Sequence, residues 1–378
     1  MKLLIPFRQR QSVNACQVGY PTIGKRFEWL MSLATIWLLV GLYLDGWAHN
    51  NIPDLIETFF TPWHAVLYSG FGATALVLVG TYLHNVLNGY PWRRGLPRPL
   101  MWSLLGIIIF GLAGNVDLLW HELFGFEEDV EALLSPSNLT LATGGVMITS
   151  GLLRTYWQQH SMRVYGRFLT FLPTYISFFT VVSIITFFGQ FANLFTHPQL
   201  FTSAAPVGDP FYWDVTLISS VLLPTGIWMG FILMLLRRWT VPFGTLTVTF
   251  FGNAVLMLLL NWDQSRPSFL ILLAPLVIGL LGDTFLKTSQ HSSTSIILLR
   301  VFSFLLPFVL FTTIFTILIT TYGIWWSIHM WLGVSFLAGI VGLGLSFLIL
   351  APACTAVSPW YAQIMEDLNH EQVNVNEN

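Results

Sequence analysis

Two acid–histidine pairs stand out by residue type and spacing. Asp45 and His49 lie four residues apart, and so do Asp117 and His121. On a helix, residues four apart share a face, one turn above the other. A third imidazole, His64, follows the first pair just after Thr61-Pro62-Trp63. Two imidazoles and one carboxylate form a recognised ligand set for iron, copper or zinc. Asp45, His49 and His64 are therefore candidate ligands of one transition-metal ion. Asp117 and His121 are candidate ligands of a second copy. There Asn138 stands where His64 would be, so Glu122 or Glu127 would have to complete the set. The two pairs could also meet and share one metal centre. The structural alternative is a plain hydrogen bond between acid and histidine at a helix end. Duplication of the pair and the third histidine weigh toward a metal.

The elements that must position these residues follow from composition. Only 9% of the 378 residues are charged and 54% are hydrophobic. A soluble protein carries about 25% charged residues, so this chain cannot coat a water-facing surface of its size. Apolar runs recur, each near the roughly 20 residues that span hydrocarbon. They predict helices at 28–48, 63–84, 100–121, 137–157, 168–192, 213–236, 243–261, 268–286, 297–321 and 329–351. The expected fold is an all-α, polytopic transmembrane bundle of about ten helices. The start, Met1 to Phe7, is too short an apolar stretch for a cleaved signal peptide.

Orientation comes from Lys and Arg, which concentrate on the cytoplasmic side. With both termini inside, 15 of the 16 Lys and Arg fall inside, leaving Arg266 outside. Most acidic residues fall outside, together with His49, His64, His121, His197 and His329. The candidate chemistry is thus placed on the extracytoplasmic face of a cell membrane, with a bacterial inner membrane as the expected location.

A parallel internal repeat is legible. Asp45-Gly-Trp-Ala-His49, Thr61-Pro62-Trp63-His64, Leu67, Gly70 and Thr81-Tyr82 match Asp117-Leu-Leu-Trp-His121, Ser135-Pro136-Ser137-Asn138, Leu141, Gly144 and Thr155-Tyr156. Parallel repeats are related by an axis along the membrane normal. Residues 1–165 are read as a duplicated two-hairpin unit bearing the metal site. Residues 166–361 form a six-helix transmembrane unit, and 362–378 a polar cytoplasmic tail.

Asp45-x3-His49 followed by His64 resembles the metal site in the C subunit of particulate methane and ammonia monooxygenases. That resemblance implies copper ligands on membrane helices at these three positions and a degenerate second copy at Asp117 and His121. It covers about 20 residues, and the chain differs in its larger helix number and duplicated hairpin. The repeated Asp-x3-His and Pro-x-His hairpins also resemble those of uncharacterised bacterial multi-pass proteins, which imply no activity.

Other features carry less. His329 sits in the tryptophan-rich segment Trp325–Trp331, Asp263 in a short turn, His197 in a proline-rich loop, and Asp283 near a helix end. Gly339 to Gly344 reads as a small-residue packing seam. Cys16 and Cys354 lie near opposite ends and indicate no disulfide framework. The net charge of −2 and the lack of a basic stripe exclude nucleic acid as a partner. The bilayer is the expected partner, with other membrane subunits or an extracytoplasmic redox protein beside it. The functional expectation is a copper- or iron-dependent membrane oxidoreductase, with a hydrolytic zinc site also open. The alternatives are an ion or metal transporter, and a non-catalytic subunit holding haem between histidines such as His49 and His121. No catalytic residue is assigned.

Overall fold

The computed structural model describes residues 19–52, 60–125, 129–158, 168–196, 203–261, 269–289 and 296–350. Among these residues all regular structure is helical. The helices are α1 (Lys25–Asn51), α2 (Pro62–Leu87), α3 (Arg98–Phe124), α4 (Asp129–Leu134), α5 (Pro136–Thr149), α6 (Gly151–Gln158), α7 (Phe168–Phe188), α8 (Pro210–Arg238), α9 (Thr245–Leu260), α10 (Leu273–Ser289), α11 (Ile296–Thr321) and α12 (Ile328–Ile349).

Eight helical segments are long and apolar enough to cross a bilayer: α1, α2, α3, α7, α8, α10 with its preceding short turn, α11 and α12. The expected spans at 137–157 and 243–261 take other forms. The first is split into α5 and α6 around Ser150, and the second is the 16-residue α9. The surface agrees with a lipid setting. On α3, Ile108, Leu112, Val116 and Leu119 form an exposed apolar stripe, while Ile107, Phe110, Ala113 and Asp117 turn inward. Similar exposed apolar residues run along α1, α11 and α12, which hydrocarbon tolerates and water does not.

Helix starts follow local chemistry. Thr61, Ser135 and Asp209 each precede a proline at the first helical turn, and each side chain accepts a bond from a backbone N–H of that turn. Proline suits that place because its missing N–H would have no helical partner there. The start of α9 is capped from another helix. Asp283 of α10 accepts from Leu246 N (3.0 Å), Thr247 N (2.9 Å) and the Thr247 hydroxyl (2.6 Å). A carboxylate buried in a bundle therefore has its charge answered by helix-end donors.

Glycines let the first two hairpins close tightly. A methyl group at Gly41 would come within 2.5 Å of the Leu67 backbone, and one at Gly70 within 2.7 Å of the Leu38 backbone. In the second hairpin, Gly144 lies equally close to the backbone of Phe110. Small residues permit this approach where no hydrophobic force separates helix from lipid. Gly339 and Gly342 of the expected seam do face α11, at Phe304 and at the Ser303 carbonyl with Pro307, whereas Gly344 meets open space.

Two apolar cores result. One joins α1, α2, α3, α5 and α6 around Met31, Leu38, Leu78, Leu100 and Ile148. The other holds α7 to α12 around Phe178, Trp228, Phe250 and Phe311. Polar bonds stitch α1 to the second group: Tyr43 OH to Ser183 O (2.9 Å), Asn50 Nδ2 to Gln190 Oε1 (2.9 Å) and Asn51 Nδ2 to Leu260 O (2.7 Å).

Candidate metal site

The last turns of α1 and the first turn of α2 bring Asp45, His49 and His64 together. One donor atom from each residue lies within 4.8 Å of the other two. This is the one such group among the described residues. His64 Nε2 is 3.5 Å from Asp45 Oδ1, and the rings of His49 and His64 meet edge-on at 5.7 Å between centroids. The site lies at one end of the bundle, with His64 buried and the other two half-buried.

Local sequence explains the aim of His64. Thr61 caps α2, and its Oγ1 accepts the His64 backbone N–H at 3.2 Å. The same oxygen lies 3.0 Å from His64 Nδ1. That contact fixes the ring and turns Nε2 toward Asp45. Metal-bound histidines commonly use their other ring nitrogen in this way. Trp47 and Trp63 wall the neighbourhood edge-to-face at 5.8 Å. Gly46 has no room for a side chain, because the Phe187 ring of α7 lies against it.

Asp45 Oδ1 is buried without a hydrogen-bond partner. Buried polar atoms are nearly always satisfied, and an orphaned carboxylate oxygen is costly. At 3.5 Å the His64 contact is too long to count as a hydrogen bond. The donor set and the orphaned oxygen together fit a cation seated between these side chains.

The second pair is also formed, but as a pair. His121 Nε2 lies 3.6 Å from Asp117 Oδ2, and both side chains are buried. Asp117 Oδ1 is likewise buried without a partner. No third donor joins them among the described residues. Asn138 turns its amide back to Ser135 Oγ (3.0 Å), so it serves the cap of α5 instead. Glu122 is exposed, and Glu127 lies outside the described residues. The cluster and the second pair lie on helices that meet through Tyr68 of α2, whose ring faces that of His64 and packs against Gly114 of α3.

A comparison with protein families, curated proteins and solved structures finds no match. The likeness to the monooxygenase C subunit therefore rests on the motif of Asp45, His49 and His64.

Sequence reading missed two contributors. Thr61 stands in the motif directly before Pro62, but its cap and its contact to the ring of its own third neighbour both depend on side-chain rotation. Tyr68 stands one turn along α2 from His64, with ring centroids 6.3 Å apart. A methyl group at Gly114 would come within 3.0 Å of the Tyr68 hydroxyl, so the glycine makes room for it beside α3. The i+4 spacing from His64 was the available signal. The lower-ranked residues lie elsewhere. His329 is exposed, and Asp283 is engaged by the start of α9. His197, Asp263 and the tail from 362 lie outside the described residues.

Proposed function

We propose that this chain is a membrane metalloprotein that holds one copper or iron ion through Asp45, His49 and His64 and works as an oxidoreductase at the extracytoplasmic face. The observation that carries this is the convergence of three donors around a buried carboxylate oxygen with no other partner. Three protein ligands leave coordination positions open, which is the pattern of a reactive site and not of a closed structural one. A bound ion of this type would supply Lewis-acid or redox chemistry. The chain's own part is narrower. Asp45 offers charge, Thr61 orients His64, and the surrounding tryptophans limit water. Asp117 and His121 stand by as a further acid–base pair.

Transport is the weaker reading. The α1–α2 hairpin closes below the site at Gly41 and Gly70, where backbone meets side-chain-free backbone. The buried hydroxyls of Ser32, Thr35 and Thr74 bond to their own helices, so they offer no chain of ligands leading away.

Elemental analysis of the full chain, purified in mild detergent without chelators, tests the proposal. Wild type should carry about one copper or iron per chain, and His49→Ala and His64→Ala should lose it while still eluting as folded protein. Equal metal in all three proteins would remove the site assignment. Zinc in place of a redox metal would turn the reading toward hydrolysis. A Soret band would turn it toward a haem-carrying subunit.

A further inference from the structure

At the end of the bundle away from the Asp/His cluster, a groove of about 270 Å³ opens between the start of α3 and the end of α6. Pro99, Trp102, Arg154, Trp157 and Gln158 line it. Trp102 and Asp117 are 15 residues apart on α3, so the groove lies about 22 Å along that helix from the second acid–histidine pair.

Arg154 is half-buried, and among the described residues it has no counter-charge. No carboxylate of the described residues comes within ion-pair distance of it. Its guanidinium is held by neutral acceptors: Nη2 donates to Met147 O (2.6 Å) and Ser103 Oγ (2.9 Å), and Nε to Ser150 O (3.4 Å). These bonds answer carbonyls around the break between α5 and α6. They also leave Nη1 with no partner among the described residues, on a side chain that borders the groove. A second cation stands behind. Arg238 donates to Trp157 O at 2.8 Å and lies 5.9 Å from the Trp157 ring centroid. The groove thus presents a fixed guanidinium whose Nη1 donors meet no acceptor among the described residues, flanked by two tryptophans of the kind that settle at headgroup depth.

We propose that this groove binds the phosphate of an anionic phospholipid headgroup. Guanidinium donors match phosphate oxygens in geometry and charge. Basic pockets between membrane helices are suited to acidic headgroups. The indole faces would lie along the glycerol backbone and upper acyl chains. A zwitterionic lipid brings an ammonium group toward Arg154 and Arg238, so it binds less well than an anionic one.

Native mass spectrometry of the delipidated full chain tests this with phosphatidylglycerol, phosphatidylcholine and inorganic phosphate as probes. Phosphatidylglycerol should remain bound at one per chain, about tenfold more tightly than phosphatidylcholine. Trp102→Ala, which alters the groove wall and leaves the Arg154 bonds intact, should weaken it. Arg154→Gln should abolish the preference for the anionic lipid. If Arg154→Gln does not fold, the lipid preference of wild type and the effect of Trp102→Ala decide alone. Equal affinity for both lipids, or retention unchanged in Trp102→Ala, overturns the proposal. Displacement of the lipid by inorganic phosphate would assign the groove to free phosphate and overturn the lipid assignment.

Discussion

Thr61 shows how much one hydroxyl can set. It caps α2 and steadies the ring of His64 with the same oxygen. Thr61→Ala should cost about 1 kcal/mol as a lost cap and weaken metal binding by about 10- to 100-fold through the loosened ligand. A competition titration against a chelator of known affinity reads the second effect. Ser135→Ala is the matched control, because it removes the equivalent cap of α5 and touches no ligand of the three-residue cluster. Metal affinity unchanged in both variants would leave Thr61 as a cap only. At this scale the sequence was a good guide to the cluster, because i, i+4 spacing and a Pro-initiated helix are local rules. It was a poor guide to Asn138. The choice between pointing into a site and turning back to Ser135 depends on side-chain rotation, which spacing does not encode. Asp283 was equally hidden, since its partners, Leu246 and Thr247, lie on another helix.

At the scale of elements, the close crossings hold donors from separate helices within 4.8 Å of one another. Gly70→Ala would place a methyl group 2.7 Å from the Leu38 backbone, so α1 and α2 must move apart. Overpacking of this sort costs about 1–3 kcal/mol, and it should also loosen the metal site by spreading His64 from Asp45. Gly72→Ala, two residues on, meets nothing within 4 Å and should be neutral or slightly stabilising. Thermal unfolding in detergent, with metal content measured in parallel, distinguishes the two. Long apolar runs made the eight long helices readable in advance. The interruption at Ser150 was not readable, because neither proline nor charge marks it. It shows only in the packing of Gly151 against Ser103 and in the Arg154 bonds.

For the whole molecule, the charge bias makes a prediction that helix assignment alone does not. If both termini lie inside, as the distribution of Lys and Arg expects, the Arg93–Arg94 turn should face the cytoplasm and the end of α3 at Phe124 the opposite compartment. In a background lacking Cys16 and Cys354, a cysteine at Trp92 should react with an impermeant thiol reagent only in opened vesicles. A cysteine at Phe124 should react in intact cells. The reverse pattern would place the metal site on the cytoplasmic side and remove an extracytoplasmic role. A duplication of the first hairpins remains an expectation from spacing, whereas the assembly of two cores around α1 and α7 rests on contacts over a hundred residues apart, such as Tyr43 to Ser183.

The stitches at Asn50 and Asn51 bear on how an ion would be loaded. They pin the end of α1, beside His49, to Gln190 and Leu260 without any help from a metal. The seat proposed for an ion is therefore shaped by contacts that do not involve it. Unlike a zinc finger, whose fold is created by its ion, this bundle should keep its helices when a chelator empties it, and refill without a folding step. Metal content would then report on supply in the surrounding compartment, and the empty protein would persist in the membrane as a receptive apo form.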